Sequence, residues 1–165
     1  MVVQFNEDPK LDLEQLDLGH LALFVGLRVN QLVMARLARA GFKNLRESHG
    51  YVIQHLIDSE RTITELARRM AVTQQAASKS VAELVRLGVL EESPGQDRRS
   101  KMIRLSSRGW KGVHASRRIR VTIHSRLQNS LGSSSYERTK HTLMQCLDAL
   151  GGAEAIRARR VKQPS

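Results

Sequence analysis

The chain has 165 residues, enough for one hydrophobic core, and its 41% hydrophobic and 26% charged residues are typical of a globular protein. Its single cysteine, Cys146, excludes a disulfide framework and a metal cluster held by several thiolates. The formal net charge of +11 favours a polyanionic partner such as nucleic acid. No apolar run approaches the ~20 residues of a membrane span. The acidic N-terminus is also unlike a secretory signal, so we expect a cytoplasmic protein with no membrane partner.

The first part of the sequence predicts an arm followed by two helices. Residues 1–17 are acidic and contain a proline, which favours an arm rather than a packed element. Residues 18–40 are rich in helix formers with apolar residues at helical spacing, and Gly41 is placed to end this first helix. A shorter second helix is predicted over residues 46–57.

Capping residues mark the starts of the next two predicted helices. The third helix has Thr64 as its predicted N-cap, with Thr62 and Glu65 at the spacing of a capping box. Thr73 is placed to cap a fourth, amphipathic helix over residues 74–87. Two helices joined by about three residues predict a helix-turn-helix.

A hairpin and two further helices follow. Residues 89–93 and 102–105 are predicted strands, joined by a proline-glycine turn and a polar loop with a basic tip. Ser106 is placed to cap a long fifth helix, and a sixth is predicted over residues 136–150 after a serine-rich turn. Residues 151–165 are expected to form a frayed basic tail.

Positive charge is concentrated after the hairpin tip. The segment from Arg98 to Tyr136 contains no acidic residue. Its cations are Arg98, Arg99, Lys101, Arg104, Arg108, Lys111, Arg117, Arg118, Arg120 and Arg126. Clustered charge of this kind favours contact with nucleic acid over a merely solvated surface.

Residues 62–109 contain short motifs in a characteristic order: T-x-L-A in the third helix, the end of the fourth helix at residues 84–88, D-R-R in the loop of the hairpin, and L-S-x-x-G after it. With these motifs in this order, the segment resembles the core of the MarR family of transcriptional regulators. The residues concerned are Thr64, Leu66, Ala67, Asp97, Arg98, Arg99, Leu105, Ser106 and Gly109. The family more often has threonine at position 106, and serine keeps the capping hydroxyl.

The resemblance implies a mainly α fold with a small β-hairpin wing, in which a winged helix-turn-helix lobe joins a helical dimerisation region. The expected boundaries are an arm at 1–17, dimerisation segments at 18–45 and 106–150, the DNA-binding lobe at 46–105 and the tail at 151–165. It also implies a homodimer, associated with the nucleoid, that binds a pseudo-palindromic operator on double-stranded DNA as a ligand-responsive repressor. Neither enzymatic activity nor a cofactor is expected.

Two groups of residues are predicted to contact DNA. The first group lies at the start of the fourth helix, because the N-terminal half of a recognition helix points at base edges in the major groove; it comprises Thr73, Gln74, Gln75, Ser78 and Lys79. The second group lies in the wing, where arginine can enter a narrow minor groove; it comprises Asp97, Arg98, Arg99 and Lys101. Asp97 is expected to orient an arginine or to initiate the turn.

An effector site is predicted more weakly on the first helix. His20, Phe24 and Arg28 share one face at i, i+4 spacing and could hold an anionic aromatic ligand, although the same face could contact a partner helix in the dimer. The six histidines include no i, i+4 pair, so no metal site is expected. Cys146 is expected to be a small buried hydrophobe.

Two other functions are compatible with the sequence. The first is an architectural or counter-silencing DNA-binding protein without an effector, which predicts weak sequence preference and a steep salt dependence. The second is a small helical enzyme or a protein-interaction module whose basic face binds an acidic partner, which predicts no operator binding.

Overall fold

The computed structural model describes residues 12–95 and 101–158, in which helices joined by turns and loops are accompanied by one hairpin. The helices are α1 (Leu18–Arg39), α2 (His49–Gln54), α3 (Ile63–Met70), α4 (Gln74–Arg86), α5 (Ser107–Leu131), α6 (Ser133–Ala149) and α7 (Ala153–Arg157), preceded by a 3-10 turn at Leu13–Gln15. The strands β1 (Leu90–Pro94) and β2 (Lys101–Leu105) pair antiparallel. The predicted mainly α fold with a β-hairpin wing is confirmed.

Buried side chains form two separate clusters. One cluster lies among α2, α3, α4 and the hairpin, and its most buried members are Val52, Leu66, Val81, Leu84, Leu90 and Ile103. The other lies between α1 and α5 and contains Val33, Leu37, Phe42, Ala115 and Ile123. The helix-turn-helix and wing therefore have a core of their own, and the long helices meet in a second one.

The start of α3 differs from the sequence prediction by two residues. Thr62, not Thr64, is the N-cap, since its hydroxyl accepts a hydrogen bond from the Glu65 backbone N–H at 3.2 Å. The extended backbone of Thr62 permits this bond, whereas Thr64 already lies inside the helix. The Glu65 carboxylate accepts from Arg61 at 3.0 Å. The Thr62–Glu65 spacing therefore predicted the correct start of α3. The Glu65 carboxylate forms an ion pair with Arg61.

The turn between α3 and α4 contains a strained residue. Ala71 has φ 54° and ψ 46°, the left-handed conformation that costs an L-residue roughly 1 kcal/mol. This conformation directs the chain from α3 into Thr73, whose hydroxyl accepts from the Ala76 N–H at 3.2 Å and caps α4 as predicted. The angle between the two helices is thus set within three residues.

Replacing Ala71 by glycine is expected to stabilise the fold by about 0.5 kcal/mol, because relief of the left-handed strain exceeds the extra entropy of glycine in the unfolded chain. The matched control is Ala82→Gly in the middle of α4, where the backbone is an ordinary helix and the same change should cost about 1 kcal/mol. Urea unfolding followed by circular dichroism measures both. Changes of the same sign in the two variants would contradict the strain argument.

The wing is joined to the start of α3. Within the hairpin, Leu90 pairs with Leu105 and Glu92 pairs with Ile103. Arg61 forms an isolated antiparallel bridge to β2, since its N–H donates to the Ile103 carbonyl at 3.0 Å and its carbonyl accepts from the Ile103 N–H at 2.8 Å. The hairpin is therefore fixed to the helix-turn-helix by backbone bonds as well as by burial of Ile103.

Three other predicted boundaries require correction. The second helix is limited to His49–Gln54, because the bonds on either side of it run from residue i to i−3 as in turns, for example from the His49 N–H to the Arg46 carbonyl at 3.0 Å. The sixth helix begins at Ser133, since the chain turns at Gly132 alone, with φ 77°. Part of the expected tail forms α7, in which Ala155 is buried.

Helix α1 has an unusually apolar and exposed surface. By length and composition it could span a membrane, and it is the one helix in the described ranges of which this is true. The expectation that no segment approaches that length was therefore wrong. Only 11% of its most apolar 18-residue window is buried. Its exposed apolar side chains are Leu18, Leu21, Leu23, Phe24, Val25 and Leu27.

Candidate nucleic-acid interface

The predicted reading residues lie together at the exposed start of α4. The inner face of the helix, formed by Ala77, Val81 and Leu84, is buried against the lobe core. The residues Thr73, Gln74, Gln75, Ser78 and Lys79 are all exposed. Five polar side chains on two successive turns are thus free to meet a ligand outside the lobe.

The electrostatics at this end of α4 suit an anion. The first turn contains no acidic residue, and the N-terminal end of a helix has a partial positive charge that favours phosphate. The acidic residue of α4 is Glu83, which turns towards α2 and contacts Arg46 and His49. The exposed face and the acidic side chain are therefore separated on the same helix.

One candidate residue was missed at the sequence level. Arg86 is exposed and follows Lys79 by seven residues, a spacing that returns to the same face of a helix. Helical periodicity could have identified Arg86, because it extends the polar face of α4 beyond the N-terminal half of the helix. Gln75, Lys79 and Arg86 form one exposed row.

In the wing, Lys101 is a predicted DNA contact that lies at the loop end of the hairpin, where it pairs with Pro94. Lys101 lies at the start of β2 with 71% of its side chain exposed, and its ammonium is 2.6 Å from the Glu92 carboxylate. An exposed pair of this kind is worth at most about 1 kcal/mol, so phosphate could compete for the lysine. The other predicted wing residues, Asp97, Arg98 and Arg99, lie outside the described residues.

Several cations of the acid-free segment have partners within the chain. The Arg108 guanidinium donates to the Gly41 carbonyl at 2.7 Å and lies 5.0 Å from the centre of the Phe42 ring. Arg104 is 2.8 Å from the Glu91 carboxylate. Arg108 therefore joins α5 to the end of α1, and the density of cations in the sequence overstates the number free to bind DNA.

The predicted effector face lies on the exposed surface of α1. His20 is occupied by Asp17, with 2.6 Å between its Nδ1 and the carboxylate. The hydrogen bond from the backbone N–H of His20 and, to a smaller extent, the bond from its side chain hold the pKa of the Asp17 carboxyl below its usual value. Arg28 donates to Gln31 at 3.3 Å, and Phe24 is exposed. The role of this face as an effector site stays a prediction.

A cavity of about 450 Å³ lies elsewhere, between α1, the segment around α2, and α5. Apolar walls come from Val33, Met34, Leu37, Phe42, Leu45, Ile53 and Ile57. Charged and polar groups at the same cavity are Asn30, Arg46, Glu47, His49, Arg117 and Arg120. None of His20, Phe24 and Arg28 lines it. The residues that line the cavity come from segments far apart in the chain, so no local sequence pattern predicts it.

Metal and thiol chemistry have little geometric support in the described parts of the chain. No group of three His, Cys, Asp or Glu side chains there is placed to hold a metal ion. Cys146 lies on α6, where it is half-buried rather than fully buried as expected.

Two helices joined by a three-residue turn, with an antiparallel hairpin on the same core, define a winged helix-turn-helix protein. Residues 44–100 match the model of the MarR family. The predicted resemblance to the MarR family is thereby confirmed over this segment of the chain. No curated protein matches it.

Solved structures share the fold at low identity. Apo MarR from Escherichia coli is 19% identical, with a TM-score of 0.61, over 80% of this chain and 97% of that one. MepR, a transcription regulator of the Staphylococcus aureus multidrug efflux pump MepA, is 20% identical, with a TM-score of 0.66, over 82% and 99%. YusO from Bacillus subtilis is 16% identical, with a TM-score of 0.63, over 81% and 99%. Family and fold together indicate a DNA-binding transcriptional regulator.

Proposed function

We propose that the protein is a sequence-specific, homodimeric regulator that binds a pseudo-palindromic operator and acts as a ligand-responsive repressor on the nucleoid. The observation that carries the proposal is the exposed start of α4, which has no acidic residue in its first turn. Its apolar face is held by the lobe core, so the polar face is presented outward in a fixed orientation.

The side chains at the start of α4 fit base and phosphate recognition. The major groove is about 12 Å wide and admits one helix. Glutamine at 74 or 75 can form two hydrogen bonds with adenine, Lys79 can donate to guanine or phosphate, and Ser78 can donate or accept. Thr73 caps the helix as an acceptor, so its hydroxyl proton can still be donated to a phosphate. The N-terminal half of α4 is therefore the proposed reading surface.

The apolar surface of the long helices supports a dimer. Exposed side chains on α1, including Phe24 and Leu27, and on α6, including Met144 and Leu147, are too numerous for a helix that stays in water. A twofold-symmetric partner would cover them. It would also set two recognition helices about 34 Å apart, one turn of DNA, which requires a pseudo-palindromic operator. A dimer also accounts for the apolar character of α1 without a membrane.

The cavity between the two cores is the proposed effector site. Its apolar walls and its arginines suit an amphipathic anion, such as an aromatic carboxylate. A ligand that binds better to the arrangement unable to bind DNA would lower operator affinity by shifting the population. The face formed by His20, Phe24 and Arg28 is the alternative position for the ligand.

Operator binding is tested with DNA from the region upstream of the protein's own gene, against scrambled DNA of equal length at fixed salt. A regulator should prefer its operator by about 1,000-fold or more. A ratio near one would contradict the proposal. Tight binding of both DNAs would then favour the architectural alternative, and absence of binding would favour an interaction module or an enzyme.

The predicted wing arginine provides a narrower test. Arg99→Ala should weaken operator binding about tenfold, because an arginine contact in the groove is lost, and it should leave the oligomeric state unchanged. Fluorescence anisotropy and size-exclusion chromatography measure the two properties. Lys140→Ala on α6 is the control, an exposed cation remote from the lobe. Equal affinities of the two variants would mean that the wing does not contact DNA.

A further inference from the structure

Three side chains connect the cavity with the recognition helix. Arg46 and His49 line the cavity, whereas Glu83 belongs to α4 and does not. The Arg46 guanidinium donates to the Glu83 carboxylate and lies 3.3 Å from Nε2 of His49. That same Nε2 is 3.4 Å from the Glu83 carboxylate. The cluster of Arg46, His49 and Glu83 is therefore continuous from the wall of the cavity to α4.

The side chains of the cluster differ in how freely they can turn. His49 is 1% exposed, and its Nδ1 accepts from the Arg46 backbone N–H at 3.1 Å, which fixes the ring. Arg46 has 61% of its side chain exposed, so its guanidinium can turn without disturbing the core. A fixed histidine beside a mobile arginine leaves Arg46 as the member that can change partners.

The charged residues around the cavity favour binding of an anionic ligand by Arg46. The Arg120 guanidinium donates to the side-chain oxygen of Asn30 at 3.4 Å, and the side-chain nitrogen of Asn30 donates to the Glu47 carboxylate at 2.6 Å. Arg120 and Glu47 are therefore both bonded to the Asn30 side chain. Arg117 has no ion pair with a residue of the described ranges. The cavity thus has more cations than anions, and an anionic ligand would be drawn to Arg46 or Arg117.

We infer that Glu83 is a positioning residue for α4 and that an anionic ligand in the cavity acts by taking Arg46 away from it. This inference rests on the proposed function, in which α4 reads DNA and the cavity takes the effector. With Arg46 engaged by the ligand, Glu83 loses its cationic partner and the contact between the α2 segment and α4 weakens. The apolar contacts of α4 remain, so the helix changes its position without unfolding the lobe.

The decisive variant is Glu83→Gln, studied in the full chain with 2-naphthoate as the ligand and neutral 2-naphthamide as its uncharged match. The substitution leaves the cavity wall intact and removes the competitor for Arg46. We expect the variant to bind 2-naphthoate about fivefold more tightly than the wild type, by calorimetry. Its operator affinity should be lowered without ligand and should change less than twofold on adding 2-naphthoate, against fivefold or more for the wild type. 2-Naphthamide should have no effect on either protein.

A control and a second variant separate this role from a structural one. Glu137→Gln breaks an exposed ion pair with Lys140 on α6 and should behave as wild type in every measurement. Arg46→Gln should lower ligand-free operator affinity, and adding Glu83→Gln to it should cause no further loss. A purely structural Glu83 would lower the unfolding midpoint while the variant kept the wild-type ligand response, and that result would overturn the inference.

The other possible outcomes of these experiments also test either the inference or the proposed function. If the wild type fails to bind 2-naphthoate, the inference is overturned, while operator binding measured without ligand still tests the proposed DNA recognition. If the wild type binds the ligand but shows no operator preference, the proposed function fails instead. Additive losses of ligand-free affinity in the Arg46→Gln, Glu83→Gln double variant would show that the two residues act separately and would overturn the inference.

Discussion

Replacing Gly109 by alanine is expected to destabilise the lobe by about 3 kcal/mol, because the added methyl group would collide with backbone. A Cβ atom at Gly109 would lie 2.2 Å from the Val89 carbonyl oxygen and 3.0 Å from Cδ2 of Leu105. The Val89 carbonyl is backbone and already accepts from the Ser106 N–H at 3.1 Å. This carbonyl cannot move without opening the junction between the wing and α5.

The control for this change is Gly50→Ala in α2, where a Cβ atom meets nothing within 4 Å. Helical alanine should leave stability equal or raise it by up to about 1 kcal/mol. Urea unfolding at two protein concentrations measures both variants and corrects for dimer dissociation. A Gly109→Ala variant as stable as Gly50→Ala would show that the contact between α5 and Val89 is loose.

The double variant Gln75→Ala, Lys79→Ala is expected to lower operator affinity by about 100-fold. Each side chain is exposed on α4, so neither substitution should disturb the core. Loss of a contact with a base costs about 1–3 kcal/mol, and the two losses should nearly add if the residues contact different groups. Lys79→Ala alone should also reduce the salt dependence by about one counterion.

Fluorescence anisotropy with operator and scrambled DNA at several salt concentrations tests this expectation. The matched control is Gln145→Ala, Lys140→Ala on α6, which removes the same residue types from an exposed helix outside the lobe. If affinity for scrambled DNA falls as much as affinity for the operator, α4 contacts only phosphate. If the two double variants behave alike, α4 is not the reading helix.

Local chemistry explains why much of the lobe could be predicted from the sequence. The N-caps of α4 and α5, Thr73 and Ser106, each act within three residues of their partners, and the hairpin followed from a turn signal between two short strands. Thr64 was predicted as a cap because two threonines stand two residues apart. Only the backbone conformation of Thr62 distinguishes them.

Contacts between distant segments could not be predicted in the same way. Arg46 and Glu83 are 37 residues apart, and Arg108 reaches the carbonyl of Gly41 across 67 residues. Neither pair has a periodicity or a motif, because what brings the partners together is the packing of α1, α2 and α5. For the same reason, the cavity could not be predicted, and fewer cations of α5 are available to DNA than the sequence suggests.

In the proposed complex with operator DNA, the backbone bridge between Arg61 and Ile103 limits how the lobe can adapt to different operators. Because the hairpin is bonded to the residue that precedes α3, it cannot tilt on its own towards a groove that is wider or displaced along the helix axis. An operator with altered spacing between the major-groove and minor-groove contacts must be met by rotating the whole lobe. Tolerance to half-site spacing should therefore depend on the joint between the lobe and the long helices, and tolerance within a half-site should be small.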